Sequence, residues 1–514
     1  MKYYDADNKV VVSFREELAD NIKILEELFT DCDDIVKKQF EFPWIGKKIS
    51  AYMIYVDGLT DNTMVQEHVI EPLVHETNGG KGSHIYSEED DVFDAVYSSG
   101  LDMVDITVET DFDGMIGSIL KGDTALIIDG YGKAVIISSK KLPTRGIDES
   151  ETEAVMRGPR DSFNESIRTS TALIRRRIKD PKCKIMHHKF GERSRTEYAI
   201  MYMEDLVQEG LVDRIEDQLS VYEADAIYDS GMLEHYMHRK WYSPFPIIQS
   251  TERPDKAASA ILEGRVAIAV DNSPEVLLVP ATFNTFLQAS DDYYNQWSVA
   301  TFARILRYLA SILAIGLPGF YIAITCFHLE MIPTKLLLAI AQARSLVTFP
   351  IVVEVLLMEL EFELLREAGI RLPGPMGNTI GIVGGLIVGQ AAVEAGLVST
   401  IVVIIVALTA LASFALPNES FASAYRLLKF FLIIVSAVWG LYGFLLGMLM
   451  IAIHLSGLVS FGVPYMTPAV SSSNRRFESR KDFILRMPIY TMKQRPVFTR
   501  EGERVRLRRK QEGK

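Results

Sequence analysis

The sequence predicts an α/β cytoplasmic N-terminal half made of two duplicated subdomains, followed by an α-helical multi-span membrane domain. The chain has 514 residues, about three domains at roughly 150 residues each. Two blocks of its first half repeat the same order of apolar segments and turns. From Ala303 to Leu455 it holds nearly uncharged runs of about 20 residues, the length that crosses a bilayer core of about 30 Å. These observations together predict an integral membrane protein with a large polar half.

The repeat defines the two α/β subdomains. Ile54–Leu59 resembles Met201–Leu206, 147 residues later, and Ser118–Asp129 recurs 142 residues on as Ala260–Asp271. The second pair shows helix, glycine, strand and turn in each copy. We therefore predict α/β domains at 1–150 and 151–296, a membrane domain at 297–460 and a basic cytoplasmic tail at 461–514.

Charge is distributed unevenly along the chain. The net charge is −13, yet Arg475–Lys514 has 14 Lys or Arg against 5 Asp or Glu, so the remainder carries −22. An acidic body excludes general binding to nucleic acid, which needs surplus positive charge, whereas the tail can contact anionic lipid. Cys32, Cys183 and Cys326 form no close pair and no C-x-x-C motif, so we expect three buried thiols without a disulfide.

The first residues, MKYYDADNKVVVSFREEL, lack the basic-then-apolar order of a cleaved signal peptide. The N-terminal half is therefore expected in the cytoplasm. Lys and Arg close to a span favour the same side, so the basic tail is expected there too. Both termini on one side imply an even number of crossings.

No motif for catalysis, a cofactor or a metal is evident. Asn78–Ser83 lacks the spacing of a phosphate-binding loop. His187, His188, His235 and His238 have no neighbouring ligands that complete a metal shell, and surface histidine is the expected role. The cluster Arg175–Arg177 is expected on a solvated helix face, with docking to a partner or to lipid headgroups as the alternative.

Four membrane spans are predicted. Arg304 and Arg307 fit the cytoplasmic edge of the first. Met331–Leu357 is interrupted by prolines and charges, so a re-entrant or interfacial segment is expected there. The predicted spans are Ala303–Phe327, Met376–Leu397, Ser399–Leu416 and Lys429–Leu455.

The span Met376–Leu397 carries a packing signal. Four glycines spaced by four residues leave one helix face bare for contact with another helix or a second subunit. Gln390 and Glu394 share a face on the next turn. A carboxylate at membrane depth costs at least about 2.5 kcal/mol, so both are candidates for an ion path, with a position at the interface as the alternative for Glu394. The glycines are Gly377, Gly381, Gly385 and Gly389.

The segment Glu354–Arg371 has acidic residues on two faces. Glu354 and Glu361 lie among leucines, where a ring of subunits would present a ring of carboxylates that selects cations. The alternative for these two is an ion pair with Arg366 or with a partner chain. The opposite face is expected to face water and holds Glu359, Glu363, Arg366 and Glu367.

Four motifs resemble the A-subunit family of bacterial spore germinant receptors (the GerA type). They are SPFPIIQSTERPDKAASAILEGRVAIAVDNSPEVLLVP (Ser243–Pro280), DDYY (Asp291–Tyr294), LLMELEFELLREAGIRLPGPMGNTIGIVGGLIVGQAAVEAGLVS (Leu356–Ser399) and VMRGPRDSF (Val155–Phe163). The resemblance covers Val155–Pro468 closely and the first domain by general pattern.

This resemblance implies a multi-pass protein of the spore inner membrane with both termini on the core side. It further implies assembly with a transporter-like B subunit that binds the nutrient and with a lipoprotein C subunit, and a homo-oligomer of this chain that forms a nutrient-gated ion conduit. Two alternatives stay open: a subunit of the sister channel that amplifies ion release, and a non-conducting scaffold that recruits receptor partners. A secondary transporter is disfavoured, because the duplication lies outside the membrane half.

Overall fold

The computed structural model describes residues 3–4, 9–45, 47–75, 91–101, 105–141, 153, 155–237, 240–371, 389–470, 482–500, 502 and 505–507. The chain forms two compact units. One, here named the α/β unit, comprises Met1–His238, Ser250–Pro280 and Phe498–Val505. The other, the helical unit, comprises Arg239–Gln249, Ala281–Val497 and Arg506–Lys514.

The first half of the α/β unit contains a five-stranded sheet of order β1-β2-β4-β5-β3 with antiparallel neighbours. Strand β4 is buried at every residue, which explains its continuous apolar sequence. The elements are α1 (Leu18–Leu28), β1 (Ile35–Trp44), β2 (Lys47–Val56), α2 (Asn62–Val65), a π-helical turn (Gln66–Ile70), α3 (Glu71–His75), α4 (Val92–Ala95), a second π-helical turn (Val96–Gly100), β3 (Ile106–Glu109), α5 (Phe112–Ile119), β4 (Thr124–Ile128) and β5 (Ala134–Ile137).

The second half repeats this arrangement as a sheet of order β6-β7-β9-β10-β8. The second strands of the two halves end in the paired segments Ile54–Leu59 and Met201–Leu206, and the fourth strands lie in the paired segments Ser118–Asp129 and Ala260–Asp271, as the sequence repeat predicts. The elements are α6 (Ile167–Arg177), β6 (Cys183–Phe190), β7 (Thr196–Met203), α7 (Leu211–Leu219), α8 (Ser230–Met237), β8 (Gln249–Thr251), α9 (Pro254–Leu262), β9 (Val266–Val270) and β10 (Val276–Val279).

Equivalent hydrogen bonds occur in the two copies. Asp129 Oδ1 accepts from the backbone N–H of Leu18 at 3.0 Å, and Asp271 Oδ1 accepts from that of Ile167 at 3.2 Å. In each case the carboxylate that follows a central strand binds the start of the subdomain's first helix, where backbone donors lack helical partners. The repeated aspartate therefore positions that helix on the sheet in both subdomains.

The helical unit contains two helices that are long and apolar enough to cross a membrane, α12 and α17, among the residues that the structure describes. The chain leaves the helix between α13 and α14, around Pro350, so Met331–Leu357 is not one straight helix. The elements are α10 (Phe283–Leu287), α11 (Asp291–Tyr294), α12 (Trp297–Phe327), a 3₁₀ turn (Leu329–Met331), α13 (Thr334–Arg344), α14 (Ile351–Arg371), α15 (Gly389–Glu394), α16 (Thr400–Phe414), α17 (Glu419–Ser456), β11 (Val459–Ser460), β12 (Val463–Pro464) and a last 3₁₀ turn (Ile489–Thr491).

Helix α17 is a helical hairpin. Its 38 residues would extend about 57 Å if straight, yet the ring of Phe245 lies 6.1 Å from the rings of both Phe421 and His454, near its two ends. The chain reverses at Gly440, where φ is 59° and ψ is −142°. We name residues 419–439 the first arm and residues 441–456 the second arm. The prediction of one crossing over Lys429–Leu455 is therefore wrong, because that segment turns back on itself.

Helix α12 runs in the same direction as the first arm. A Cβ on Gly319 would lie 3.2 Å from the carbonyl of Leu432, and one on Gly440 would lie 2.8 Å from Phe327. Contacts therefore advance together along both helices, from Leu432 to the reversal at Gly440. The glycines permit this close helix contact, as is common in membrane bundles.

Candidate functional site

The charged residues of α14 define the candidate site in the helical unit. Glu354 is fully buried. One carboxylate oxygen accepts from Arg344 Nε at 3.2 Å and the other from the backbone N–H of Ser399 at 2.9 Å. Ser399 is the N-cap of α16, so the carboxylate stabilises both a cation and a helix N-terminus. The ion-pair alternative for Glu354 is thus realised in the structure with Arg344, whereas the sequence had suggested Arg366.

Glu359 and Glu363 contact a lysine of the first arm. Lys429 Nζ donates to Glu359 Oε2 at 2.5 Å and to Glu363 Oε1 at 3.2 Å. Glu359 is 1% exposed and Lys429 is 4% exposed. The prediction that this face of α14 is in water is wrong for Glu359 and Glu363, because the first arm covers them with opposite charge. It holds for Glu367, which is exposed at the end of the same face.

The same network continues through Arg366. Glu419 accepts from Arg366 and from Arg426, each at 2.8 Å, and Arg426 lies 3.6 Å from Glu363. With Glu359 and Lys429 the network holds three carboxylates and three cations, so its charges balance. Buried ions need such partners to offset desolvation.

Glu361 differs from these acidic residues. Within the described part of the chain it makes no hydrogen bond or ion pair, and its side chain lines a groove of about 330 Å³ between α14 and α16. The other lining residues are apolar: Met358, Phe362, Leu365, Val403, Val406, Ala407, Ala410, Leu411 and Phe414. An unpaired carboxylate in such a groove has no internal partner to stabilise its charge.

The candidates on the predicted glycine-rich span are only partly described. Gln390 Nε2 donates to Glu394 Oε1 at 3.2 Å, and both side chains are exposed. Gly389 is buried, and a Cβ there would meet Val403 at 3.8 Å, an ordinary contact. The other three positions of the glycine face, Gly377, Gly381 and Gly385, lie outside the described residues.

A second charged cluster was missed by sequence reasoning. Arg304 is fully buried; its Nε donates to Asp292 at 3.0 Å and its Nη1 to Asp482 at 2.6 Å. Arg307 also donates to Asp292, and Arg486 donates to the carbonyl of Asp292. The acidic turn before two arginines one helical turn apart was the available signal. No sequence signal indicates Asp482, the partner from the basic tail, because it lies 178 residues from Arg304.

In the α/β unit the arginine cluster of α6 joins the two subdomains. Arg175 is fully buried and donates to both oxygens of Asp34, at 2.7 and 2.8 Å. It also donates to the carbonyl of Cys183 at 2.9 Å. Arg177 donates to Asp161, and Arg168 to Asp57. A solvated face is therefore the wrong interpretation for Arg175, since bidentate pairing replaces its water.

Two of the three cysteines are buried, as predicted. Cys32 and Cys183 lie beside Arg175 where the two subdomains meet. Cys326 is exposed, contrary to the expectation. Burial raises the pKa of the Cys183 thiol to about 12. A thiol of this kind is a poor nucleophile, because the reactive form is the thiolate.

Comparison of the sequence with known proteins shows the family of this chain. The sequence profile described as "Bacillus/Clostridium GerA spore germination protein" matches residues 23–498. The chain is 40% identical over 476 residues to spore germination protein A1 of Bacillus subtilis (strain 168), covering 93% of this chain and 95% of that protein. It is 37% identical over 479 residues to the uncharacterised membrane protein YfkQ of the same organism, covering 93% and 90%. The chain belongs to the GerA family of spore germination proteins, and the family prediction is confirmed.

A solved structure is also similar. The N-terminal domain of the A subunit of the Bacillus megaterium spore germinant receptor GerK3 matches 54% of this chain and 99% of that chain, with 26% identity and a TM-score of 0.41. The α/β first half and the helical second half of the predicted fold are both present in our structure. Of the four predicted spans, Ala303–Phe327 lies within α12, which has the length and composition of a crossing helix. Helix α17 has this length and composition only when its two arms are counted together across the reversal at Gly440.

Proposed function

We propose that this protein is the A-type membrane subunit of a spore germinant receptor and couples nutrient sensing by partner subunits to ion release across the spore inner membrane. Membership of the GerA family supports the germination role. The apolar helices α12 and α17 support a place in the membrane. The partners would be a transporter-like B subunit and a lipoprotein C subunit, with both termini of this chain on the core side.

The proposal that this chain conducts ions depends on Glu361. Helix α14 has five carboxylates, and four of them are paired, with Arg344, Lys429, Lys429 and Arg371 respectively. Only Glu361 is left in an apolar groove among the described contacts. In a homo-oligomer one such carboxylate from each subunit would form a ring that attracts cations within about a Debye length of 8 Å. Glu354 is less suited to this role, since its charge is already satisfied.

Assembly would use the glycine face of the predicted span Met376–Leu397. Close contact of backbones at Gly377, Gly381, Gly385 and Gly389 gives a membrane protein an interface that does not depend on the hydrophobic effect. Gln390 and Glu394 follow directly on that helix and, being exposed, remain further candidates for the ion path.

The decisive experiment compares Glu361→Gln with Glu367→Gln in spores whose only receptor of this type contains the variant. Glu367 is exposed and pairs with Arg371 on the surface of α14, so it is a matched control. Glu363 is unsuitable as a control, because its loss would leave Lys429 partly unpaired. We expect cation release after nutrient addition to slow by about tenfold in Glu361→Gln, as for one lost charge contact of about 1.4 kcal/mol, and to stay normal in Glu367→Gln.

Protein level and complex assembly are measured in the same spores. Normal release from assembled Glu361→Gln complexes would contradict conduction along Glu361 and would favour the non-conducting scaffold. A slow release that persists when germination is triggered without nutrient would favour the sister channel that amplifies ion release. Reconstitution of the subunit with and without its partners then separates conduction by this chain from conduction by the B subunit.

A further inference from the structure

The helical unit exposes two large neighbouring aromatic side chains. Trp241 is 91% exposed and Tyr242 is 60% exposed, and their ring centroids lie 6.2 Å apart in an edge-on arrangement. Each combines a wide apolar ring with one polar group. Side chains of this kind concentrate where an apolar phase meets water.

Polar contacts hold this pair at the end of the second arm of α17. Ser243 Oγ lies 2.9 Å from His454 Nε2, and the ring of Tyr242 contacts the ring of His454 edge-on at 6.1 Å. Lys240 Nζ donates to the carbonyl of Gly457 at 3.0 Å. Because the helix ends at Ser456, the aromatic pair marks the level at which the arm ends.

The outer face of the second arm is apolar, and no residue in the described part of the chain covers it. Leu445, Leu449 and Ile453, spaced by four residues, are 58%, 54% and 63% exposed and form one continuous helix face. At the opposite end of this face, next to the reversal, Trp439 and Tyr442 are 61% and 68% exposed. An apolar surface bounded at both ends by Trp and Tyr has the pattern of aromatic belts at the two interfaces of a bilayer.

The dimensions and the charge agree with a lipid environment. The 16 residues of the second arm rise about 24 Å, and the aromatic side chains at each end extend this band towards the bilayer core thickness of about 30 Å. In the sequence, Arg239 and Lys240 directly precede Trp241. Positive charge beside an interfacial aromatic residue is attracted by anionic headgroups.

We propose that residues 240–242 form an interfacial anchor that binds the surface of an anionic lipid bilayer and sets the depth of the α17 hairpin. Trp241 and Tyr242 insert at the headgroup level, and the second arm lies in the hydrocarbon region with the reversal at Gly440 near the other surface. The proposal needs the helical unit to lie in a bilayer, and it does not depend on ion release by this protein.

Tryptophan fluorescence tests the proposal in the full-length protein, reconstituted in vesicles of phosphatidylcholine and phosphatidylglycerol. Subtracting the emission of Trp241→Phe from that of the wild type isolates Trp241, and Trp439→Phe isolates Trp439 as the matched control at the reversal. The quenchers are lipids brominated near the headgroup, lipids brominated near the chain ends, and iodide in the water. We expect headgroup-proximal bromine to quench Trp241 roughly twofold more than chain-end bromine, since interfacial side chains lie about 5–10 Å inside the boundary.

Three results would overturn the proposal. Quenching of Trp241 by iodide alone would place the loop in water. Quenching by none of the three would mean that protein covers Trp241, and stronger quenching by chain-end bromine would place it in the hydrocarbon core. Quenching of Trp439 by brominated lipid in the same vesicles shows that the helical unit has inserted, so an uninserted sample cannot imitate any of these outcomes.

Discussion

Replacing Arg175 tests how much its buried ion pair with Asp34 stabilises the α/β unit. Replacing it with Met leaves Asp34 buried without its bidentate partner, and breaking a buried pair in this way costs about 3–5 kcal/mol. We expect the free energy of unfolding of the α/β unit to fall by that amount, measured by urea denaturation of the full-length protein in mild detergent. Arg176→Met is the control, because Arg176 is exposed on the same helix.

A second variant distinguishes pairing from packing. In Asp34→Leu/Arg175→Met neither charge remains, so the penalty of an unpaired buried carboxylate disappears, and part of the lost stability should return. Equal denaturation midpoints for Arg175→Met and the wild type would contradict the role of this pair in joining the subdomains. If the double variant has the same free energy of unfolding as Arg175→Met, the aliphatic stem of Arg175 supplies the stability.

Glu234, on α8, gives the α/β unit a pH dependence. Burial, with a smaller contribution from Glu275, raises the pKa of Glu234 to about 7. The folded state thus binds this proton more tightly than the unfolded state, so the contribution is greatest at low pH and is lost as pH rises from about 4.5 through 7. We expect a loss of about 3 kcal/mol in unfolding free energy over this window, measured by denaturation across the range. Glu234→Gln should flatten the slope of unfolding free energy against pH. Glu192→Gln is the control, because Glu192 lies on an exposed loop, and it should keep the wild-type slope. An unchanged slope in Glu234→Gln would mean that another group causes the pH dependence.

At the scale of elements, the reversal of α17 depends on Gly440. Its backbone angles lie in a region that essentially only glycine adopts, and a Cβ would meet Phe327 at 2.8 Å. We expect Gly440→Ala to lower the thermal midpoint of the helical unit in detergent and to expose a cysteine placed at Leu432, which Gly447 covers. Gly457→Ala is the control, since a Cβ there meets only ordinary contacts at 3.6 Å. Wild-type behaviour of Gly440→Ala would mean that the two arms form one continuous helix in the bilayer.

The elements that the sequence predicts well are those encoded by local pattern. The duplicated subdomains follow from segments repeated at 142 and 147 residues, because strand, turn and helix cap are each set by neighbouring residues. The hairpin does not follow, since an apolar run looks the same whether it continues or reverses. The pairing of Glu359 with Lys429 joins residues 70 positions apart. Periodicity on α14 shows which residues share a face, and it cannot show that another charged helix covers that face.

At the scale of the whole molecule, the C-terminal chain contributes to both units. Residues up to Val497 belong to the helical unit and Phe498–Val505 to the α/β unit. In the helical unit Asp482 accepts from buried Arg304. In the α/β unit Thr499 Oγ1 donates to the carbonyl of Glu263 at 2.7 Å, and the Arg265 guanidinium lies 5.3 Å from the centre of the Phe498 ring. The basic tail is thus an integral part of both units in the structure, whereas the sequence had suggested only contact with lipid.

Truncation after Lys481 should therefore destabilise both units. In the helical unit Arg304 loses one of its two carboxylate partners, and a buried cation that lacks a partner costs up to about 3–5 kcal/mol of stability. In the α/β unit the buried side chain of Phe498, which is 4% exposed, is lost at a cost of about 3 kcal/mol. Two single variants separate these effects: Asp482→Asn should lower the thermal midpoint of the helical unit only, and Phe498→Ala that of the α/β unit only. Truncation after Leu507 keeps both sets of contacts and should match the wild type. If the truncation after Lys481 also matches the wild type in limited proteolysis and thermal unfolding, the tail is dispensable for folding and Arg304 is sufficiently paired by Asp292 alone.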